Sequence, residues 1–275
     1  MGVADDAGYD PSEKDAKMAV RIMDAFEKDF LRLRPTLMKW VRLALFGKTL
    51  QVTGMDNLPM QGPAVIVGNH IGSYKDIAAL LEIIPRQIHF TANQEIFSRE
   101  RFHALIRAHF KRHLKEFGLL FDVAIRPIKV PFVNFISDNI GRVGTIPVDL
   151  MEGKTKALQT CEDFLLEGRA VVLLQGRGRI NPRDSHPFVC EFRRGPAVIC
   201  AKIFRDRGLV VPLIPIAMYG THMPWVVPGK IKIGIGQPMK VSDYATDDLS
   251  LTISRFRAAM EKRTRRLLYR LVKGG

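Results

Sequence analysis

The chain has 275 residues, 47% of them hydrophobic, and carries 42 Lys and Arg against 28 Asp and Glu, a formal charge of +14. That is enough apolar material for one sizeable core, or a core with a small appendage. No apolar run approaches the roughly 20 residues of a membrane span, and Cys161, Cys190 and Cys200 have no metal-type spacing. A spanning segment and a zinc site are therefore excluded, and the cysteines read as buried free thiols.

Residues 1–9 are expected to form a disordered tail. Met1 to Lys17 is acidic and polar rather than basic and then apolar, so no signal peptide is expected. Asp10-Pro11-Ser12-Glu13 reads as a helix start: a capping Asp, Pro at the first helical position and Glu three residues after the cap. Met23, Phe26, Phe30 and Leu33 continue as an apolar stripe. Pro35 is expected to interrupt, and a second short helix to carry Leu37, Trp40, Val41, Ala44 and Leu45 on one face. Arg32, Arg34, Lys39, Arg42 and Lys48 flank it. Trp on an apolar face with a basic flank suits an interfacial helix on a membrane; equally, the stripe can pack on the domain, and the two readings do not exclude each other. Residues 10–48 are read as a helical membrane-contact segment and 49–275 as the main domain.

From Gln51 onward strands and helices alternate. Expected strands are Leu50–Thr53, Ala64–Val67, Ile88–Ala92, Gly144–Val148, Ala170–Leu174, Val210–Met218 and Ile231–Ile235; expected helices are Asp76–Ile84, Arg99–Glu116, Lys154–Leu166, Pro196–Arg205 and Asp248–Tyr269. The pattern predicts an α/β fold with a mainly parallel central sheet flanked by helices and an N-terminal amphipathic two-helix appendage. Between Ser98 and Lys115, Arg99, Arg101, Arg107, Lys111, Arg112 and Lys115 accompany His103, His109 and His113. His109 and His113 have helical spacing, but no Cys or Glu completes a metal set, so a basic solvated face is expected and no metal. The last helix presents Leu249, Ile253, Phe256, Met260 and Leu267 to the core and a basic outer face.

The segment Gly68-Asn69-His70-Ile71-Gly72-Ser73-Tyr74-Lys75-Asp76 follows the apolar run Ala64–Val67. A histidine at the mouth of a strand, with a carboxylate a few residues on, is how a protein presents a general base: the imidazole titrates near neutrality, and the carboxylate fixes its tautomer. Three further blocks follow. The first of these is Gly144-Thr145-Ile146-Pro147-Val148-Asp149. The next is Val171-Val172-Leu173-Leu174-Gln175-Gly176-Arg177-Gly178-Arg179, with Phe192-Arg193-Arg194-Gly195-Pro196-Ala197 after it. The last is Val211-Pro212-Leu213-Ile214-Pro215-Ile216-Ala217, running into Gly220-Thr221.

In order and character these blocks resemble the glycerolipid acyltransferase family, over roughly Leu50 to Met239. The resemblance implies transfer of a fatty acyl group from a thioester, acyl-CoA or acyl-carrier protein as co-substrate, to a hydroxyl of a lysophospholipid or glycerol phosphate. It implies His70 as general base and Asp76 as its orienting partner, with Asn69, Gln175, Gly176, Arg177 and Arg179 on the substrate. It also implies a peripheral enzyme on the inner, cytoplasmic face of an anionic membrane, with no cofactor and no metal. The fourth block is expected to shape the core beneath the site.

The sequence departs from the family pattern in three places. The His–Asp spacing is one residue longer than usual, so Lys75 occupies the usual Asp position and Asp76 can reach His70 only if the loop at Gly72 absorbs the extra residue; otherwise Asp76 is simply an acid in a first helical turn. Gln175 stands where the family has Glu, and Leu150 where an Arg is common. These departures keep a second reading open, a non-catalytic lipid-binding relative. A nucleic-acid partner is not expected, since only the charge favours it. The stretch between Asp76 and Pro147 is longer than the family's, and its basic helix would suit an acidic carrier protein.

Overall fold

A computed structural model of the chain describes residues 11–114, 117–149 and 154–273, and within these the side chains outside 11–24 and a few positions between 109 and 121 and at 154. The expected tail, Lys115 and Leu150 lie outside the described residues.

Among the described residues, seven strands, β1 (Lys48–Thr53), β2 (Ala64–His70), β3 (Ile88–Asn93), β4 (Ile146–Val148), β5 (Ala170–Gly176), β6 (Leu213–Tyr219) and β7 (Gly229–Ile235), form one sheet in the order β1-β7-β6-β2-β5-β3-β4. Every neighbouring pair is parallel except β6 with β7. The fold is thus α/β with a mostly parallel sheet, as the alternation of patterns predicts. All seven strands fall where expected, with small shifts at the ends. β4 starts after Gly144, which takes a left-handed φ of 78°, and β6 starts after Pro212, which has no N–H for the ladder.

Among the described residues, eight helices surround the sheet: α1 (Pro11–Ala44), α2 (Tyr74–Ile83), α3 (Arg99–Leu114), α4 (Phe117–Ala124), α5 (Arg126–Asn139), α6 (Lys154–Leu166), α7 (Gly195–Arg207) and α8 (Leu249–Lys273). They bury both faces of the sheet, which is why central strands read as unbroken apolar runs rather than alternating ones. In β2, Val65 and Val67 face a core shared with α6, α7 and α8, while Ala64 and Ile66 face one shared with α1 and α2. Cys161 and Cys200 are buried in the first core, where burial pushes both thiols up to about 12.

Two expectations are corrected. The N-terminal appendage is one helix, not two: α1 runs straight through Pro35. Proline in a helix interior removes one hydrogen bond and costs about 3 kcal/mol. Burial of Val41 and Leu45, with Leu37, Met38 and Ala44 packed beside them, holds the C-terminal half helical on the sheet. Trp40 packs edge-on against Phe132 of α5, with ring centroids 5.3 Å apart, so this face of α1 is covered by the domain. The stretch between β3 and β4 contains two unforeseen helices, α4 and α5. Pro127 at the start of α5 needs no N–H partner, and the buried Lys129 ammonium lies 2.6 Å from the Asp122 carboxylate, tying α5 to α4.

Candidate active site

β2 lies in the middle of the sheet, and His70 is its last residue. β5 ends beside it, with His70 in register with Gly176, and β6 ends on the other side. The carboxyl ends of three adjacent parallel strands therefore meet at one edge, the place where open α/β sheets bind ligands.

The backbone turns sharply after His70. Ser73 has φ 54° and ψ −124°, the only positive φ outside glycine among the described residues. It occupies the cap position of α2 without making a side-chain cap bond. This bend absorbs the extra residue in the His–Asp spacing and brings Asp76, on the first turn of α2, back under the histidine. His70 Nδ1 lies 2.8 Å from Asp76 Oδ2. The same oxygen accepts the backbone N–H groups of Ile71 at 2.9 Å and Gly72 at 2.7 Å. Asp76 is fully buried, whereas the His70 side chain is 25% exposed. A carboxylate oxygen only accepts, so Nδ1 carries the proton and the free lone pair sits on Nε2.

The glycines of this region are close-contact positions. A Cβ on Gly72 would lie 2.3 Å from the Thr221 Cβ, beyond the end of β6. A Cβ on Gly178 would lie 3.2 Å from His70 Nε2 and 3.2 Å from the Ser73 Cα, and its φ is 70°. Gly178 therefore lets bare backbone approach the base nitrogen. Gly176, at the end of β5, lies against the His70 carbonyl. Arg177 and Arg179, on either side of Gly178, are exposed and have no ion-pair partner among the described residues.

Asn69 and Gln175, expected on the substrate, are turned into the protein. Asn69 is fully buried: Nδ2 donates to the Phe188 carbonyl at 3.0 Å and the Met218 carbonyl at 2.9 Å, and Oδ1 accepts the Met218 N–H at 2.8 Å. It joins β2 to β6. Gln175 donates to the Leu173 carbonyl at 3.0 Å and accepts the Arg193 N–H at 2.9 Å, anchoring the segment that leads into α7. A neutral amide does this with both its ends, which a carboxylate could not. Both residues frame the site from below.

Sequence reasoning did not single out Lys75 or His222 as part of the site. Lys75 is buried, and its ammonium donates to the Met223 carbonyl. Burial, and then the Lys48 charge, lower its pKa, with Asp76 opposing. His222 stacks in an aromatic cluster with Phe188 and Tyr219, and burial holds its pKa below the usual histidine value, with Lys75 adding to the effect. The Gly220-Thr221 end of the fourth block was the available signal, since it places the next residues at the mouth of β6. Among the described residues, no group of His, Cys, Asp or Glu could hold a metal ion.

This arrangement provides one base nitrogen facing outward, oriented from behind by a buried carboxylate, beside bare backbone and two unpaired cations. It suits deprotonation of a hydroxyl on an anionic molecule.

Residues 49–114 match the model of the Acyltransferase family. No curated protein matches the chain. A crystal structure of the 1-acyl-sn-glycerophosphate (LPA) acyltransferase PlsC from Thermotoga maritima aligns at 17% identity and a TM-score of 0.48, covering 94% of this chain and 82% of that one.

Proposed function

We propose that the chain, whose assignment to the glycerolipid acyltransferases is supported by the family-model match over residues 49–114 and by four blocks in family order, moves a fatty acyl group from a thioester to a hydroxyl of a lysophospholipid or glycerol phosphate. The observation that carries this reading is the hydrogen bond from His70 to Asp76 across a strained turn. Nε2 takes the proton of the acceptor hydroxyl as its oxygen attacks the thioester carbonyl. The tetrahedral oxyanion needs donors, and the backbone at Gly178 approaches Nε2 so closely that a Cβ there would lie 3.2 Å from it. Collapse breaks the carbon–sulfur bond, and the proton passes from His70 to the departing thiolate. The buried Asp76 carboxylate stabilises the imidazolium in between. Arg177 and Arg179 hold the acceptor phosphate. The donor is acyl-CoA or acyl-carrier protein, and the reaction takes place at an anionic membrane surface, toward which the charge of +14 attracts the protein.

The test is thiol release from acyl-CoA and acyl-carrier protein against a panel of lysophospholipids and glycerol phosphate. Release that depends on both acceptor and His70 supports the reading. Binding of lysolipid with no turnover of any pair supports the non-catalytic alternative.

A further inference from the structure

The loop joining β6 to β7 is built the wrong way round for water. Met223, Trp225, Val226 and Val227 are all exposed, Val226 at 76%. Phe46, just beyond the end of α1, is 68% exposed, and its ring lies 6.2 Å from that of Trp225. These side chains form one apolar patch rather than scattered singles.

Four polar atoms of Met223–Val227 are tied to neighbouring elements. Trp225 Nε1 donates to the Leu43 carbonyl at 2.8 Å. Lys48 donates to the Pro224 carbonyl at 2.8 Å and also to that of Val227. Lys75 donates to the Met223 carbonyl. Three anchors from three elements thus fix the loop with its apolar side chains outward, so little ordering entropy remains to be lost on docking.

The charge around the patch identifies its partner. The stretches of chain that carry the patch, residues 36–55 and 207–242, contain no acidic residue. Lys39, Arg42 and Lys230 are exposed within them. Trp, Phe and Val carried on chain whose charged residues are all cations suit the boundary between anionic headgroups and acyl chains.

We propose that Phe46 and Met223–Val227 form the surface by which this protein inserts into an anionic bilayer. This rests on the reading that its substrates are lipids at a membrane. Lys75 links the loop to the turn that carries Asp76, so the inserted surface sits beside the candidate base rather than at a remote anchor.

The experiment uses the full chain with Trp40→Phe, leaving Trp225 as its indole, and phosphatidylcholine vesicles with brominated acyl chains, with or without phosphatidylglycerol. Trp225 emission is expected to shift to the blue and be quenched by the phosphatidylglycerol vesicles. In the otherwise unmodified chain, Val226→Asp is expected to weaken cosedimentation with them by about tenfold without changing the melting temperature. Vesicle binding with Trp225 unquenched and Val226→Asp bound like the parent overturns this surface while the membrane reading stands. No binding to either vesicle overturns both.

Discussion

Asp76 Oδ2 accepts three hydrogen bonds, from the His70 ring and from two backbone N–H groups, so one atom both builds the turn and orients the base. An asparagine carbonyl can occupy the same position and accept all three. Asp76→Asn is therefore expected to keep the fold and lose only the charge facing the imidazolium, lowering kcat by about 10². Asp76→Ala is expected to lower stability as well, by about 2 kcal/mol, by stranding the Ile71 and Gly72 N–H groups; urea denaturation beside a turnover assay separates the two. Ser73 pays for the bend with backbone strain. Ser73→Gly is expected to raise stability by about 1 kcal/mol, strain relief outweighing glycine's greater chain entropy. The His–Asp pair was legible because both residue types sit at the end of an apolar run, but the bend joining them was not. Spacing along the chain does not report a rare φ. Nor does sequence say which way an amide points, which is why Asn69 and Gln175 were expected on the substrate and are found bonded to backbone.

At the scale of elements, the strands were legible because β-branched runs buried on both faces leave few other options. α4 and α5 were not: α4 is short and apolar, and α5 carries two residues that disfavour helix interiors, Pro127 at its start and Pro131 within it. Pro35 shows the same limit in α1. Local propensity predicts a break, and packing of the residues beyond it overrides that. Because the helix continues through this exposed position, Pro35→Ala is expected to restore a hydrogen bond and raise stability by up to about 3 kcal/mol. A true break at Pro35 would give a change near zero in the same denaturation curve.

For the molecule as a whole, His89 is a group that links stability to pH. It is buried under Gly144, whose carbonyl accepts from Nδ1 at 3.0 Å, and burial lowers its pKa to about 4, the Arg169 and Arg86 charges adding while the Gly144 bond opposes. A histidine with a folded pKa below its unfolded value stays neutral in the native state while the unfolded chain takes up a proton. Its penalty is absent above about pH 6.5, grows as pH falls, and levels off below about pH 4, at a total of about 3 kcal/mol. Thermal melts across that window are expected to fall with pH in the parent and to fall less steeply in His89→Gln. The net charge of +14 acts on a longer scale: under the proposed function it draws the protein to anionic surfaces, and that binding is expected to weaken as salt rises.

The most direct test of the acyl-transfer account is thiol release from a fatty acyl thioester with a lysophospholipid acceptor, measured for the parent and for His70→Ala with the fold checked by its melting temperature. The account predicts acceptor-dependent release in the parent and a loss of about 10²–10⁴ in His70→Ala. Equal turnover in the two proteins would contradict it.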